Sequence, residues 1–337
     1  MLKNFIDWMK IQDEIGEPPW EYDFLYNLPE SEYPKYLKKI FKYRTGEDLP
    51  LKYVFKLHNW IIDKKRCKTF NQKIQYIKLY CITPLMRNCA DKVNVRGFVG
   101  EKIGTEYLKP VLQVVRSEES GVRSNNLNFS LSTLNTPLFD KIDFEKLPDS
   151  FVIKCAHGCK WHYTIRGKNI FLENKQIFDI VKRNITGWLE QEFFPYEGFE
   201  LQYKGMQPKL LIEPFMRENR LIEVYCFNGQ PKVFADIHLD KGVRICTYNE
   251  DCSYADLVLK PEDRKLMQKF PADEILKQSI DLSKKLSKDF RFVRVDWMLH
   301  QNKLYFEELT FTPYSGFSTF DKKWNLKMGN WINLEGV

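Results

Sequence analysis

The stretch from Arg291 to Phe320, RFVRVDWMLHQNKLYFEELTFTPYSGFSTF, limits this chain's fold more than any other. FVRVDWML alternates apolar and polar positions, and KLYFEELTF does so less cleanly, so the two read as strands joined by a tight turn at Gln301-Asn302-Lys303. Arg294 and Asp296 are two apart and share a strand face, as do Glu308 and Thr310. If the strands pair across the turn, the Asp296 and Glu308 carboxylates converge with a guanidinium beside them. Converging hard oxygen ligands suit Mg²⁺, which is held by one or two carboxylates plus substrate phosphates. The plainer alternative is a solvated hairpin face, since exposed charges on strands are ordinary. Phe, Trp and Tyr fill the alternate positions, so the hairpin has one buried side and its charged side faces water or a site.

The chain is 337 residues long, enough for one large domain or two to three smaller ones with ample core. A hydrophobic content of 43% with 29% charged residues places it among globular rather than disordered chains. No apolar run approaches the length of a membrane span. The apolar patch at the N-terminus contains Asp7, which argues against a secretory signal. Eight cysteines are scattered along the chain without a disulfide-framework spacing, so they are expected to be reduced and the protein cytoplasmic.

The net charge of +7 is laid out unevenly. Residues 1–34 carry two basic and eight acidic side chains, whereas residues 35–80 carry thirteen basic and three acidic. In PKYLKKIFKYR, Tyr36, Leu37, Ile40 and Phe41 fall on one helical face amid Lys and Arg. That face could meet the inner face of an anionic membrane or an anionic polymer, or be a solvated helix side whose apolar stripe packs inward. No nucleic-acid recognition motif accompanies it.

Residues 1–84 are expected to form a helical N-terminal region, with KTFNQKIQYIKLYCI keeping a helical period and Pro84 marking a break. ADKVNVRGFVGEKIG reads as a further helix ending near Gly104. Ser117 to Pro137 is a Ser/Asn/Thr-rich loop. A strand from Phe151 to Cys155 follows, then one running to Glu213 and Pro214, then a hairpin turning at Asn228-Gly229. A helix from about Pro271 to Asp289 precedes the hairpin described first. The expected class is mixed α+β.

Several of these stretches, in this order, resemble one family. ADKVNVRGFV, PDSFVIKCAHG, LIEPFM, VYCFNGQPK, VRVDWM…FEELTFTPYSGF and the closing MGNWINL look like the TupA-like branch of the ATP-grasp superfamily, from about Thr69 to Trp331. The resemblance implies an ATP-grasp fold over 85–337, with an N-lobe at about 148–212 and a C-lobe at about 213–337 closing on Mg-ATP. It further implies an ATP-dependent carboxylate-amine ligase that forms an amide through an acyl phosphate. The branch is associated with surface polysaccharides, so the implied substrates are a uronic acid or other polysaccharide-precursor carboxylate and an amine such as an amino acid, or the reverse pairing. A glycosyltransferase of the same pathway and a nucleotide-binding module without turnover remain alternatives.

Residue by residue, the resemblance matches Asp296 and Glu308 to Mg²⁺ ligands, with Thr310 where many relatives have a metal-binding Asn. Arg294 matches the arginine facing the transferred phosphoryl group, Lys154 the lysine holding the α/β-phosphates, and Lys92 an earlier phosphate-side lysine. Glu213, Pro214 and Phe215 resemble the adenine hinge, with Glu218 or Glu223 as candidates for the ribose hydroxyls. Such roles suit phosphoryl transfer, where Lys, Arg and Mg²⁺ offset charge on ATP. Three positions depart from the family pattern. The loop AHGCKW keeps only Gly158 of a usually Gly-rich cover, so phosphate contact there would fall to Lys160 and His157. Position 223 is Glu where relatives carry Lys, and Tyr314 replaces a Gly. Within the same loop Cys155, His157, Cys159 and His162 offer a rival reading as a zinc site, although four ligands within eight residues do not resemble the usual two separated pairs. Trp161 is the one tryptophan considered for stacking on carbohydrate; the others are expected in the core.

Overall fold

A computed structural model of the chain describes residues 67–116, 137–191, 193, 200–316 and 318–335. The expectations for residues 1–66, including most of the basic block, and for the loop at 117–136 lie outside the described residues. Three helices come first: α1 (Phe70–Tyr80), α2 (Pro84–Ala90) and α3 (Val95–Ile103). Thr69 and Gln72 form a capping box that starts α1. Pro84 is the first residue of α2, with the Thr83 side chain accepting from Met86 N–H, so the proline opens a helix where its missing N–H costs nothing. The helix expected from Ala90 begins only at Val95. Asp91, which is buried, accepts from Val93 N–H and Asn94 N–H and bends the chain into a turn first.

There follow β1 (Gln113–Arg116), β2 (Ser150–Cys155), β3 (His162–Arg166), α4 (Lys168–Glu173), α5 (Lys175–Leu189) and β4 (Lys209–Pro214). The remainder is β5 (Arg220–Phe227), β6 (Gln230–His238), β7 (Arg244–Asn249), α6 (Glu274–Ser287), β8 (Phe292–His300), β9 (Lys303–Thr310) and α7 (Lys322–Trp331). Two antiparallel sheets result. The first has strand order β1-β4-β2-β3 and the second β7-β6-β5-β8-β9. The class is therefore α+β, as expected. None of the described helices is long and apolar enough to cross a membrane.

Each sheet sorts its side chains by strand alternation. In the first, Phe151, Ile153 and Cys155 of β2 and Leu210 and Ile212 of β4 enter a core completed by Phe171, Val181 and Ile185 of α4 and α5. Val152 and Lys154 of β2, with Leu211 and Glu213 of β4, take the opposite face. In the second, Val224, Val293, Val295 and Trp297 pack against Leu276, Leu282 and Leu286 of α6, and the Trp297 indole N–H donates to Ser283 Oγ at 2.8 Å. Both expected hairpin turns are present. Asn228 and Gly229 have φ of 48° and 76°, and Gln301 and Asn302 have φ of 49° and 61°, the left-handed pair that a two-residue hairpin loop requires.

The closing run MGNW forms the seat for α1. A Cβ at Gly329 of α7 would lie 2.2 Å from Lys68 O and 2.6 Å from Thr69 C, so only glycine lets the first turn of α1 come this close. Asn71 N–H donates to Asn325 Oδ1 at 3.0 Å, and Asn71 Nδ2 donates to Ser318 O at 2.9 Å, fixing the contact.

Candidate active site

The polar faces of the two sheets enclose a cleft of about 410 Å³. Its floor on the second sheet is set by register. Glu223 of β5, Asp296 of β8 and Glu308 of β9 lie directly across from one another, and Tyr225, Arg294 and Thr310 form the next row. Like charges directly opposite on a sheet repel, so three carboxylates in one row need a cation, and Arg294 supplies it. Its Nε and Nη2 donate to Asp296 Oδ1 and Oδ2 at 2.6 and 2.7 Å, while Nη1 stands 3.6 Å from Glu223 Oε1 and Nη2 3.9 Å from Glu308 Oε1. Thr310 Oγ1 is 3.0 Å from Asp296 Oδ2 and 2.9 Å from Glu308 Oε1.

The single Thr310 hydroxyl proton cannot serve both carboxylates at full strength. Burial, Glu223 and Glu308 drive the Asp296 carboxyl up, to about 8, against the pull of Arg294. Burial acts on Glu308 in the same direction, but Lys92 and Arg294 outweigh it and its carboxyl stays below the usual range. A pair of hard oxygen groups short of positive charge is a donor set that fits a divalent cation.

The less regular alternation of KLYFEELTF has a cause. A bulge opposite Asp296/Trp297 inserts one extra residue, Glu307, so Glu307 and Glu308 both line the cleft. Glu307 pairs with Lys109, which is 8% exposed, and stands 3.9 Å from Lys154 Nζ. Lys154 Nζ lies 2.8 Å from Glu213 Oε2, a buried ion pair. Arg96 Nη1 stands 3.5 Å from the other Glu213 oxygen and its Nη2 donates to Lys109 O at 2.6 Å. Burial works against the Lys154 ammonium, yet Glu213 and Glu307 outweigh it and hold its pKa above the usual value. A chain of alternating charges thus joins the first sheet to the second.

Eleven of the residues matched to nucleotide or metal roles line this cleft: Lys92, Lys154, Lys160, Glu213, Pro214, Phe215, Glu218, Glu223, Arg294, Asp296 and Glu308; Cys159 and His162 line it as well. Thr310 adjoins it through both carboxylates. His157 and Gly158 do not line it. His157 is 2% exposed, its Nε2 is 3.0 Å from Trp188 O, and burial depresses its pKa, so it sits as a neutral ring beneath the loop. Gly158 is confined by Trp161 and Phe193, whose ring carbons would meet a Cβ at 2.7 and 2.9 Å, and its carbonyl accepts from Lys92 Nζ. Lys160, exposed and at φ 60°, is the loop cation that does reach the cleft. At the hinge Pro214 has no N–H, and Phe215 N–H already donates to Ser150 O at 3.1 Å.

The zinc alternative finds no support in the placement of its four candidates. Cys155 is buried in the core of the first sheet, with its thiol pushed up to about 12 by that burial, whereas Cys159 and His162 line the cleft and His157 does not. Trp161, 9% exposed, stacks parallel to Trp188 at 6.1 Å in the core and is closed to carbohydrate. Arg96 and Lys109 escaped the sequence reading. Both sit outside recognisable strands of the hairpin type, and only the buried placement of Lys109 marks it.

A family model described as TupA-like ATPgrasp matches residues 72–333. No match was found among curated proteins. Solved structures with a similar chain course include D-alanine–D-alanine ligase from Bacillus anthracis complexed with ATP, at 13% identity and TM-score 0.35, covering 66% of this chain and 54% of that one. The D-alanine–D-alanine ligase from Helicobacter pylori is similar at 14% identity and TM-score 0.39, covering 80% and 68%. The ATP-grasp ligase PsnB with minimal precursor, Mg and ADP is similar at 11% and 0.35, covering 84% and 66%. The chain thus spans between about half and two thirds of the length of these structures. These are loose likenesses of shape, and the match over residues 72–333 carries the assignment.

Proposed function

This chain belongs to the TupA-like ATP-grasp family, and on that premise we propose that it is an ATP-dependent carboxylate-amine ligase. The observation that carries the reading is the polarity of one cleft. Asp296, Glu308 and Thr310 gather hard oxygens beside Arg294 on the second sheet, and Lys92, Lys154 and Lys160 bring cations into the same cleft. Phosphoryl transfer asks for little else from a protein than such positioning and charge.

In this reading Lys154 and Lys92 hold the phosphates of ATP, and Lys160 approaches them from the loop. Glu213, Pro214 and Phe215 border the adenine. Glu218, beside the hinge, takes the ribose hydroxyls. Asp296 and Glu308, with Thr310, would hold Mg²⁺, and Arg294 beside them would face the transferred phosphoryl group. The metal would supply positive charge to offset that of the phosphates. A substrate carboxylate oxygen takes the γ-phosphoryl group and ADP leaves with the electrons of the broken P–O bond. The amine nitrogen then forms the C–N bond as the C–O bond to phosphate breaks, and its two surplus protons pass to phosphate and solvent. We further propose a uronic acid and an amino acid as substrates, surface polysaccharide synthesis as the setting, and a cytoplasmic enzyme. The basic residues 35–80 would contact an anionic membrane or polymer.

The test is ADP release from ATP and Mg²⁺ over a panel of uronic acids paired with amino acids. Release that needs both partners is expected, and Asp296→Asn or Glu308→Gln should reduce it by at least about a hundredfold, the scale of losing one charge-stabilising group. Near-normal release by either variant would remove the metal assignment. Nucleotide binding without ADP release on any pair would leave a binding module instead.

A further inference from the structure

The carboxylate row on the second sheet holds one member more than the reaction above uses. Asp296 and Glu308 are committed to the metal in that reading, on which this inference rests. Glu223 is not. It is 18% exposed at the side chain and lines the cleft. Its Oε2 accepts from the buried Tyr225 hydroxyl at 2.9 Å, which fixes the carboxylate's direction. Its Oε1 faces Arg294 Nη1 at 3.6 Å, beyond a hydrogen bond, because the Arg294 fork is closed on Asp296. One carboxylate oxygen is therefore aimed into the cleft with capacity for a donor.

We propose that Glu223 is the subsite that binds the ammonium group of the amine substrate. Three observations converge on it. Of the other carboxylates lining the cleft, Glu213 is paired with Lys154 and Glu307 with Lys109, and Glu218 is assigned to the ribose in that reading, so Glu223 is the carboxylate left to attract a cationic substrate. Glu223 lies directly across from Asp296, and neighbouring strands are about 4.8 Å apart. A nitrogen held at Glu223 therefore stands one strand from Asp296, a metal ligand in that reading, near where the phosphoryl group is transferred. Tyr314, exposed and with φ 52° in the turn after β9, stands close enough to Glu223 and Arg294 for both to act on its hydroxyl. Its ring already attracts one ammonium, Lys260 Nζ at 5.6 Å from the centroid, and offers an aromatic wall suited to cations.

The experiment compares two small probes on the full chain with Mg²⁺ and a non-hydrolysable ATP analogue. Glycinamide carries an ammonium; glycolamide has a hydroxyl in the same place. Their dissociation constants are measured by ligand-observed NMR titration. The wild type is expected to prefer glycinamide by about tenfold or more, the scale of one charge-assisted hydrogen bond. Glu223→Gln should bring the ratio close to one, and Glu223→Asp should retain part of it. Equal binding of the two probes by the wild type, or a ratio preserved in Glu223→Gln, would overturn the proposal. Both probes are read on one preparation, so partial unfolding lowers both and leaves the ratio meaningful. Turnover does not enter the ratio, so a failure of ADP release would count against the ligase reading and leave the ammonium subsite to stand or fall by itself.

Discussion

Replacing Lys154 with Met keeps most of the side-chain volume and removes the charge at the centre of the cleft. Glu213, 5% exposed, would lose the ammonium 2.8 Å from its Oε2 and keep only Arg96, 3.5 Å from its Oε1. Removing one partner of a buried ion pair costs about 3–5 kcal/mol, because a buried charge is left uncompensated. The remaining guanidinium argues for the lower end, about 3 kcal/mol. Glu213→Gln in the same chain should return part of that loss, since the stranded charge is then gone, and the double variant should be less destabilised than the sum of the singles. Urea unfolding of the four proteins measures this coupling. The same substitution should also weaken ATP binding. One charge-assisted hydrogen bond contributes roughly 1.5–3 kcal/mol, or about ten- to a hundredfold in affinity. The lower part of that range is expected here, because Glu213 and Glu307 already engage the ammonium before ATP arrives. Unchanged unfolding midpoints would refute the ion-pair reasoning. Unchanged affinity by calorimetric titration would show that Lys154 does not reach the phosphates.

Two further outcomes follow from packing and burial. Gly329→Ala should destabilise the protein by about 1–3 kcal/mol, towards the upper figure because the obstructing atoms are the backbone of Lys68 and Thr69; a urea midpoint within error of wild type would contradict that close contact. His157 is held neutral by burial, with a folded pKa below the ordinary 6.5. The unfolded chain therefore binds its proton first, so stability should be complete above about pH 6.5 and fall as pH drops below it. In His157→Gln, unfolding curves from pH 5 to 8 should lose that part of the slope; an identical slope would place the titration elsewhere.

The hairpin at 291–320 was legible because its period, its turn residues and its paired carboxylates all point to one arrangement, and Asp296 does lie across from Glu308. The bulge was visible only as an imperfect alternation, and nothing in KLYFEELTF says that Glu307 would turn to Lys109 and Lys154. Capped helix starts misled where a proline looked like an end: Pro84 opens α2 because Thr83 caps it. Strands β1, β3 and β7 passed unnoticed, being short and, in β3 (HYTIR), carrying one apolar residue in the core among polar neighbours. α5 was missed despite Val181, Ile185 and Leu189 at helical spacing, because its exposed Ile177 and Ile180 blur the apolar stripe. The sequence of AHGCKW suggests a phosphate cover with His157 pointing to ligand. Three aromatic rings, Trp161, Trp188 and Phe193, claim that histidine and glycine instead, and such long-range packing has no local signature.

The claim that ATP activates a carboxylate in this cleft can be read from one atom. The uronic acid that supports ADP release is prepared with ¹⁸O in its carboxyl group and turned over with ATP, Mg²⁺ and the amine, and the released phosphate is weighed by mass spectrometry. Transfer of the γ-phosphoryl group to the carboxylate predicts one ¹⁸O in each phosphate released, with the matching oxygen lost from the amide. Phosphate free of label, or ADP release that is indifferent to the carboxylate, would contradict the account.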